Sequence, residues 1–365
     1  MLYLGYDPEY RKRLDKIDLM KDESKFKVYN SYDTLRSITV NYVLPIESDY
    51  KIEDYKIYLL YSTDMSENRI YQVIEKSLKK RIGWIFPINA LNSTLHTESN
   101  NPHFLKYAFV AFQLLLLNQL KDTQIEVGNN YNITGLKREN SLFEDNLIIF
   151  IVNKALVKGL NFNLDYYLPS LYLYNYFYQY IENYNNFDIY KGCKRVVIEK
   201  LPNILISESY LYELFKELIF EKHYLVRFYL LYQVVELLIE KILNNEILKL
   251  ANQLKEKEIF TREFKDKITN FEPEDKRIGK LFNEYSNKGN NIIRKNFIEK
   301  CNNFLTNMNR YNKDIKNIEK KLYSIRNFIV HDYRSIPKDK INVLGDVISS
   351  FEYLCIDLLL NYKEL

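Results

Sequence analysis

From residue 223 to residue 362, apolar side chains recur at three- and four-residue steps in four successive stretches, and this pattern constrains the fold more than any other feature of the chain. In 223–244 the stripe is Phe228, Leu231, Val235, Leu238 and Ile242, and helical text resumes at 290–308. In 312–331 it is Ile315, Ile318, Leu322, Ile325 and Ile329, and in 339–362 it is Ile341, Leu344, Val347, Phe351, Leu354 and Leu358. These stretches are almost free of Gly and Pro, so nothing interrupts them. One apolar face per helix must be buried, and four in series predict an antiparallel bundle over 205–365. The charge-rich segment 250–290, with Pro273, Lys276, Arg277 and Lys280, reads as irregular.

The first 200 residues read differently, as a mixed α/β or mostly helical domain. ITVNYVL (38–44) and YKIYLLY (55–61) suit strands, whereas the charged residues 8–25 look helical. After Ser62-Thr63-Asp64, a turn able to cap, the spacing of Ile70, Val73, Ile74 and Leu78 predicts a helix and hence one βα unit. No glycine-rich phosphate loop follows the strand, so no cofactor is expected. Helices are expected at 104–120, 142–160 and 165–184, with a hairpin at QIEVGNNYNIT (124–134). The alternating Tyr172, Tyr174, Tyr176, Tyr178 and Tyr180 are expected to fill a core and its rim rather than to stack bases. A boundary is expected at 186–205, where Gly192, a short β-like run and Pro202 occur together.

Composition narrows the class of protein. Apolar residues make up 47% and charged residues 27% of the 365, which excludes wholesale disorder. The 9 Gly and 8 Pro are too few for a loop-rich sandwich. The formal charge of +4 permits an RNA partner without requiring one. Cys193, Cys301 and Cys355 are far apart and lack zinc-ligand or redox spacing, so a reducing cytoplasm and no disulfide framework are expected. The N-terminus becomes charged within a dozen residues, without a signal-peptide core. The most apolar run, 104–120, contains Lys106, Gln113 and Asn118 and is expected to be a core helix rather than a membrane span.

The four histidines are few enough to weigh individually, since imidazole is the usual proton shuttle near neutral pH. His96 and His103 lie in the polar loop LHTESNNPH, and His223 opens a helix among charged neighbours; all three read as solvated. His331 instead ends the third bundle helix, in Ile325-Arg326-Asn327-Phe328-Ile329-Val330-His331-Asp332. Asn327, four residues earlier, shares its helix face. Arg326 lies about 140° round the helix, so the two converge only where the helix ends, and Pro337 supplies that end. A guanidinium can grip the non-bridging oxygens of a phosphodiester while an imidazole moves protons to or from the ribose 2′-hydroxyl and the leaving 5′-oxygen. The nucleophile is internal to RNA, so this chemistry needs no metal, and the product would carry a 2′,3′-cyclic phosphate.

Arg326-Asn327-x-x-x-His331 resembles the R-N-x-x-x-H form of the Rx4–6H motif of the HEPN superfamily of helical-bundle ribonucleases. Its place on the third bundle helix, with one amphipathic helix after it, fits as well. The resemblance covers about 205–365 and implies a metal-independent endoribonuclease acting on single-stranded RNA. Arg326 and His331 would be the catalytic pair. Asn327 would position the histidine or touch phosphate, and Glu236 would orient the arginine. It also implies a homodimer in which two motifs face one cleft, and an antiviral or toxin-type effector. The RNA path would run over Arg334, Lys338 and Lys340, extended by Lys276, Arg277, Arg294 and Lys295. The N-terminal domain would sense a regulatory ligand or protein, or restrain the nuclease. A CRISPR-associated version carries a Rossmann-like sensor of cyclic oligoadenylate, which the expected βα unit permits. The alternatives are a catalytically silent helical adaptor and a general RNA-binding protein.

Overall fold

The computed structural model describes residues 5–7, 12–14, 16–19, 25–30, 33–41, 50–116, 147–179, 193–218, 221–271, 273–311 and 315–363. They form two compact units. The described residues of the first fall within Met1–Leu164, Asn175–Asn183 and Gly192–Glu199, and those of the second within Asp165–Tyr174, Tyr184–Lys191 and Lys200–Leu365.

The first unit is mixed α/β. Strands β1 (Gly5–Asp7) and β2 (Lys12–Leu14) pair with each other, and β3 (Lys16–Leu19), β4 (Lys25–Asn30) and β5 (Asp33–Asn41) form an antiparallel meander. The helical expectation for 8–25 is therefore corrected to strand over its described part. A five-stranded sheet follows, from β6 (Tyr55–Tyr61), β7 (Tyr71–Glu75), β8 (Lys80–Pro87), β9 (Leu147–Asn153) and β10 (Arg195–Ile198), in the order β10-β7-β8-β9-β6. Only β10 and β7 run parallel; the other neighbours are antiparallel. Helix α1 (Pro102–Leu116) packs Phe104, Tyr107 and Phe109 into a core shared with Trp84, Phe86, Ile149 and Ile151. The one-turn helix α2 (Lys154–Val157) is capped by the Asn153 side chain.

Two further expectations in this unit fail in whole or in part, and a third is not reached. The helix expected after Ser62-Thr63-Asp64 is instead β7 leading into a hairpin. The Glu75 carboxylate accepts hydrogen bonds from Ser77 Oγ at 2.6 Å and the Leu78 N–H at 2.8 Å, and Lys79 turns the chain at φ 53°. No βα unit exists there, so the sheet lacks the parallel start that a Rossmann-like sensor requires. The helix expected at 142–160 is corrected over Leu147–Asn153 to β9, whose run of β-branched residues is buried on both faces; 154–160 form short helical turns, and 142–146 lie outside the described residues. The hairpin at 124–134 lies outside the described residues.

The second unit is a helical bundle. Among the described residues of the long helix expected at 165–184, only α3 (Leu168–Tyr172) and a 3-10 turn before it are helical, and 180–184 lie outside the described residues. Tyr172 and Tyr174 are buried here, and in the first unit Tyr176 is buried and Tyr178 exposed, as expected of core and rim; Tyr180 lies outside the described residues. After α4 (Asn203–Ile206) and α5 (Ser209–Glu217) come the bundle helices α6 (Tyr224–Lys255), α9 (Asn291–Asn307), α10 (Ile318–Asp332) and α11 (Ile341–Asn361). Between α6 and α9 lie α7 (Thr261–Phe271), α8 (Glu274–Lys280) and a π-turn at Leu281–Tyr285, so 250–290 is helical rather than irregular.

Side-chain pairs fix the helix directions. Phe228 meets Phe351 at 5.4 Å, and Cys355 Sγ donates to the Leu231 carbonyl, so α6 and α11 run together. Lys300 pairs with Asp346 at 2.9 Å and Arg294 with Asp357 at 3.0 Å, so α9 runs against α11. Phe304 meets Phe328 at 5.2 Å, and Arg310, beyond α9, reaches Asp332 at 3.9 Å, so α10 runs with α9. Two helices thus point each way. Helix α9 ends where Asn309 takes φ 55° and the Arg310 N–H bonds back to the Leu305 carbonyl, a left-handed cap that Asn tolerates.

Candidate active site

Helix α10 delivers the two expected catalytic groups to different surroundings. Arg326 lies one and a half turns before the helix end and is half-buried; His331, in the last turn, is exposed. Ser335 Oγ donates to the Asp332 carbonyl at 2.6 Å, and a 3-10 turn leads to Pro337, so the helix stops where the proline predicts.

The Arg326 guanidinium is held on three sides. Its Nη1 donates to Asn327 Oδ1 at 3.1 Å, its Nη2 lies 3.5 Å from Glu274 Oε2, and its carbon sits 6.0 Å from the Tyr232 ring centroid. Glu274 is the first residue of α8, which packs between α6 and α10, and its other oxygen accepts a hydrogen bond from the Tyr232 hydroxyl at 2.5 Å. Burial, reinforced by that carboxylate, pushes the Tyr232 phenol well above its ordinary pKa. A buried phenol beside a carboxylate stays a neutral donor.

The acidic partner of Arg326 is therefore Glu274, which corrects the expectation for Glu236. Glu236 lies one turn after Tyr232 on the outer face of α6, exposed and without an ion pair among the described residues. Asn327 gives its side-chain oxygen to Arg326 rather than to His331. His331 makes no hydrogen bond or ion pair among the described residues, so none joins it to Arg326. At the same end of the bundle, the exposed His223, which precedes α6, has its ring 6.4 Å from that of Tyr333.

The proposed basic path divides. Arg334 and Lys338 are exposed in the α10–α11 connection beside His331, and Lys276 is exposed on α8. Lys340 is committed to the Asn307 carbonyl at the end of α9, at 2.7 Å. Arg277 is half-buried, with its Nε sealed from solvent. Arg294 is removed from the path: it pairs with the buried Asp357 and bonds the Ser286 carbonyl. With Lys295 it occupies the first turn of α9, about 20 Å along that helix from the end nearest His331. Sequence reasoning missed Glu274 and Tyr232. The available signal was Pro273 followed by Glu274-Asp275, with Lys280 a turn and a half later, which is a helix start and its charged stop.

Among the described residues, no group of three or more His, Cys, Asp or Glu side chains is arranged to hold a metal ion, and no helix is long and apolar enough to cross a membrane. No family model, curated protein or solved structure matches the chain.

Proposed function

We propose that the helical unit is a metal-independent endoribonuclease of HEPN type that cuts single-stranded RNA by attack of the ribose 2′-hydroxyl. The observation that carries this reading is the pairing, on the last two turns of α10, of a guanidinium fixed in place with an imidazole left open to solvent. In the proposed reaction His331 takes the 2′-hydroxyl proton or protonates the leaving 5′-oxygen. Arg326 binds the non-bridging oxygens and stabilises the charge that accumulates on them. The new bond joins the 2′-oxygen to phosphorus as the bond to the 5′-oxygen breaks, leaving a 2′,3′-cyclic phosphate and a 5′-hydroxyl.

In this reading two chains present their α10 ends to one cleft, as the HEPN resemblance implies. The first unit then senses a signal or restrains the nuclease, in the manner of an antiviral or toxin effector. Its largely antiparallel sheet argues against a Rossmann-like sensor of cyclic oligoadenylate.

The test is cleavage of labelled single-stranded RNA in EDTA. The wild-type protein cuts, and His331→Ala and Arg326→Ala each lose at least about a hundredfold in rate. Cutting retained by both variants, or abolished by EDTA, rejects the reading. One observation favours a silent adaptor instead: Arg326 already has intramolecular partners. In that case Arg326→Ala lowers stability and no RNA is cut.

A further inference from the structure

Resting on the ribonuclease reading of Arg326, we propose that Glu274 is the positioning residue for that arginine and that Tyr232 locks Glu274 in its working orientation. An arginine side chain has several freely rotating bonds, and its fork is useful to a phosphate only if it already points the right way. Here one edge is occupied from inside the fold. Nη2 faces Glu274 at 3.5 Å, Nη1 bonds Asn327 at 3.1 Å, and the Tyr232 ring lies behind the guanidinium. Of its five N–H groups, those not used in these contacts remain for an incoming phosphate.

Glu274 is placed to do this by packing rather than by chance. It opens α8, which is wedged between the two helices that carry Tyr232 and Arg326. A carboxylate held only by a 3.5 Å arginine contact would swing about its own side-chain bonds. The Tyr232 hydroxyl, donating to its second oxygen at 2.5 Å, prevents this. Lys280, at the other end of α8, binds Glu246 of α6 at 2.7 Å and anchors the short helix independently of the site. Removing the Glu274 charge therefore leaves α8 docked while freeing the arginine.

The proposal predicts a division between turnover and binding. With Glu274→Gln the arginine still attracts RNA but no longer meets the scissile phosphate in a fixed pose. The kcat on single-stranded RNA in EDTA then falls about tenfold to a hundredfold, as for other positioning partners. KM, and the Kd for an all-2′-deoxy strand that cannot be cut, stay within about twofold to threefold of wild type. Tyr232→Phe keeps the ring, is well tolerated in the fold, and lowers kcat in the same sense by a smaller factor. Wild-type kcat in both variants overturns the proposal. So does a raised kcat, which would make Glu274 a brake on Arg326, or a loss of deoxy-strand binding in step with kcat, which would make its role structural. Failure of the wild-type protein to cut any RNA overturns the ribonuclease reading, and this proposal falls with it.

Discussion

A buried imidazole stays neutral unless something nearby repays the loss of water, and His96 shows the consequence. It is sealed in the first unit with Nε2 3.2 Å from the Ala90 carbonyl and its ring edge-on to Phe104. Burial holds its pKa below the ordinary histidine value, although Glu67 and Glu98 pull the other way. In the unfolded chain the ring takes up its proton near pH 6.5, but the folded protein resists doing so. The unfolded state therefore binds more protons below about pH 6.5, and stability falls as the pH drops through that value. Urea unfolding at pH 7.5 and pH 5.0 should show a lower midpoint at the acid pH, and His96→Gln should shrink the difference. An equal acid loss in the variant would assign it to other groups. This burial was not legible, because LHTESNNPH is polar and reads as solvated; it comes from packing of Phe104 of α1 against the ring.

Among the elements, α9 and α11 are joined by an ion pair whose arginine, Arg294, was expected on an RNA path. Arg294 Nε donates to Asp357 Oδ2 at 3.0 Å, Asp357 Oδ1 accepts the Asn290 N–H at 2.6 Å, and Gly289 leaves no room for a side chain between them. Asp357 is almost fully buried, and burial raises its pKa against the opposing pull of Arg294 and the Asn290 amide. Arg294→Ala strands that carboxylate, so it should cost about 3 kcal/mol or more in urea unfolding at neutral pH. It should leave the affinity for a deoxy strand unchanged; weakened affinity with intact stability would return Arg294 to the RNA path. A signal existed: Asp357 interrupts the apolar run FEYLCIDLLL, and a charge on so buried a helix face needs a partner. The four long helices were legible because a one-sided stripe has a single resting place. Strand β9 was not, because a strand buried on both faces loses its alternation and resembles a core helix. Ile70, Val73 and Ile74 kept helical spacing by accident of a bulge between Val73 and Ile74 in the β7–β8 pairing.

Taken whole, the chain does not finish one unit before starting the next. Residues 165–174 belong with the bundle, where Tyr172 packs against Phe215 at 5.7 Å, whereas β10 returns to the sheet of the first unit. Gly192 and Pro202 point to one boundary at 186–205, whereas the interleaving was not legible, since contacts between segments distant in sequence leave no local trace. The candidate site was legible as Arg326 and His331 because their spacing is local. Its acidic partner was not, because Glu274 is 52 residues from Arg326 and converges only through packing of α8. The central claim is that these groups act on an RNA linkage through its own 2′-hydroxyl. The most direct measurement maps a cleavage position in a single-stranded RNA, then replaces the one nucleotide 5′ to it with its 2′-deoxy counterpart. Protection at that position, with 2′,3′-cyclic phosphate ends on the unmodified product, is the predicted result. Undiminished cutting at the deoxy nucleotide would contradict it.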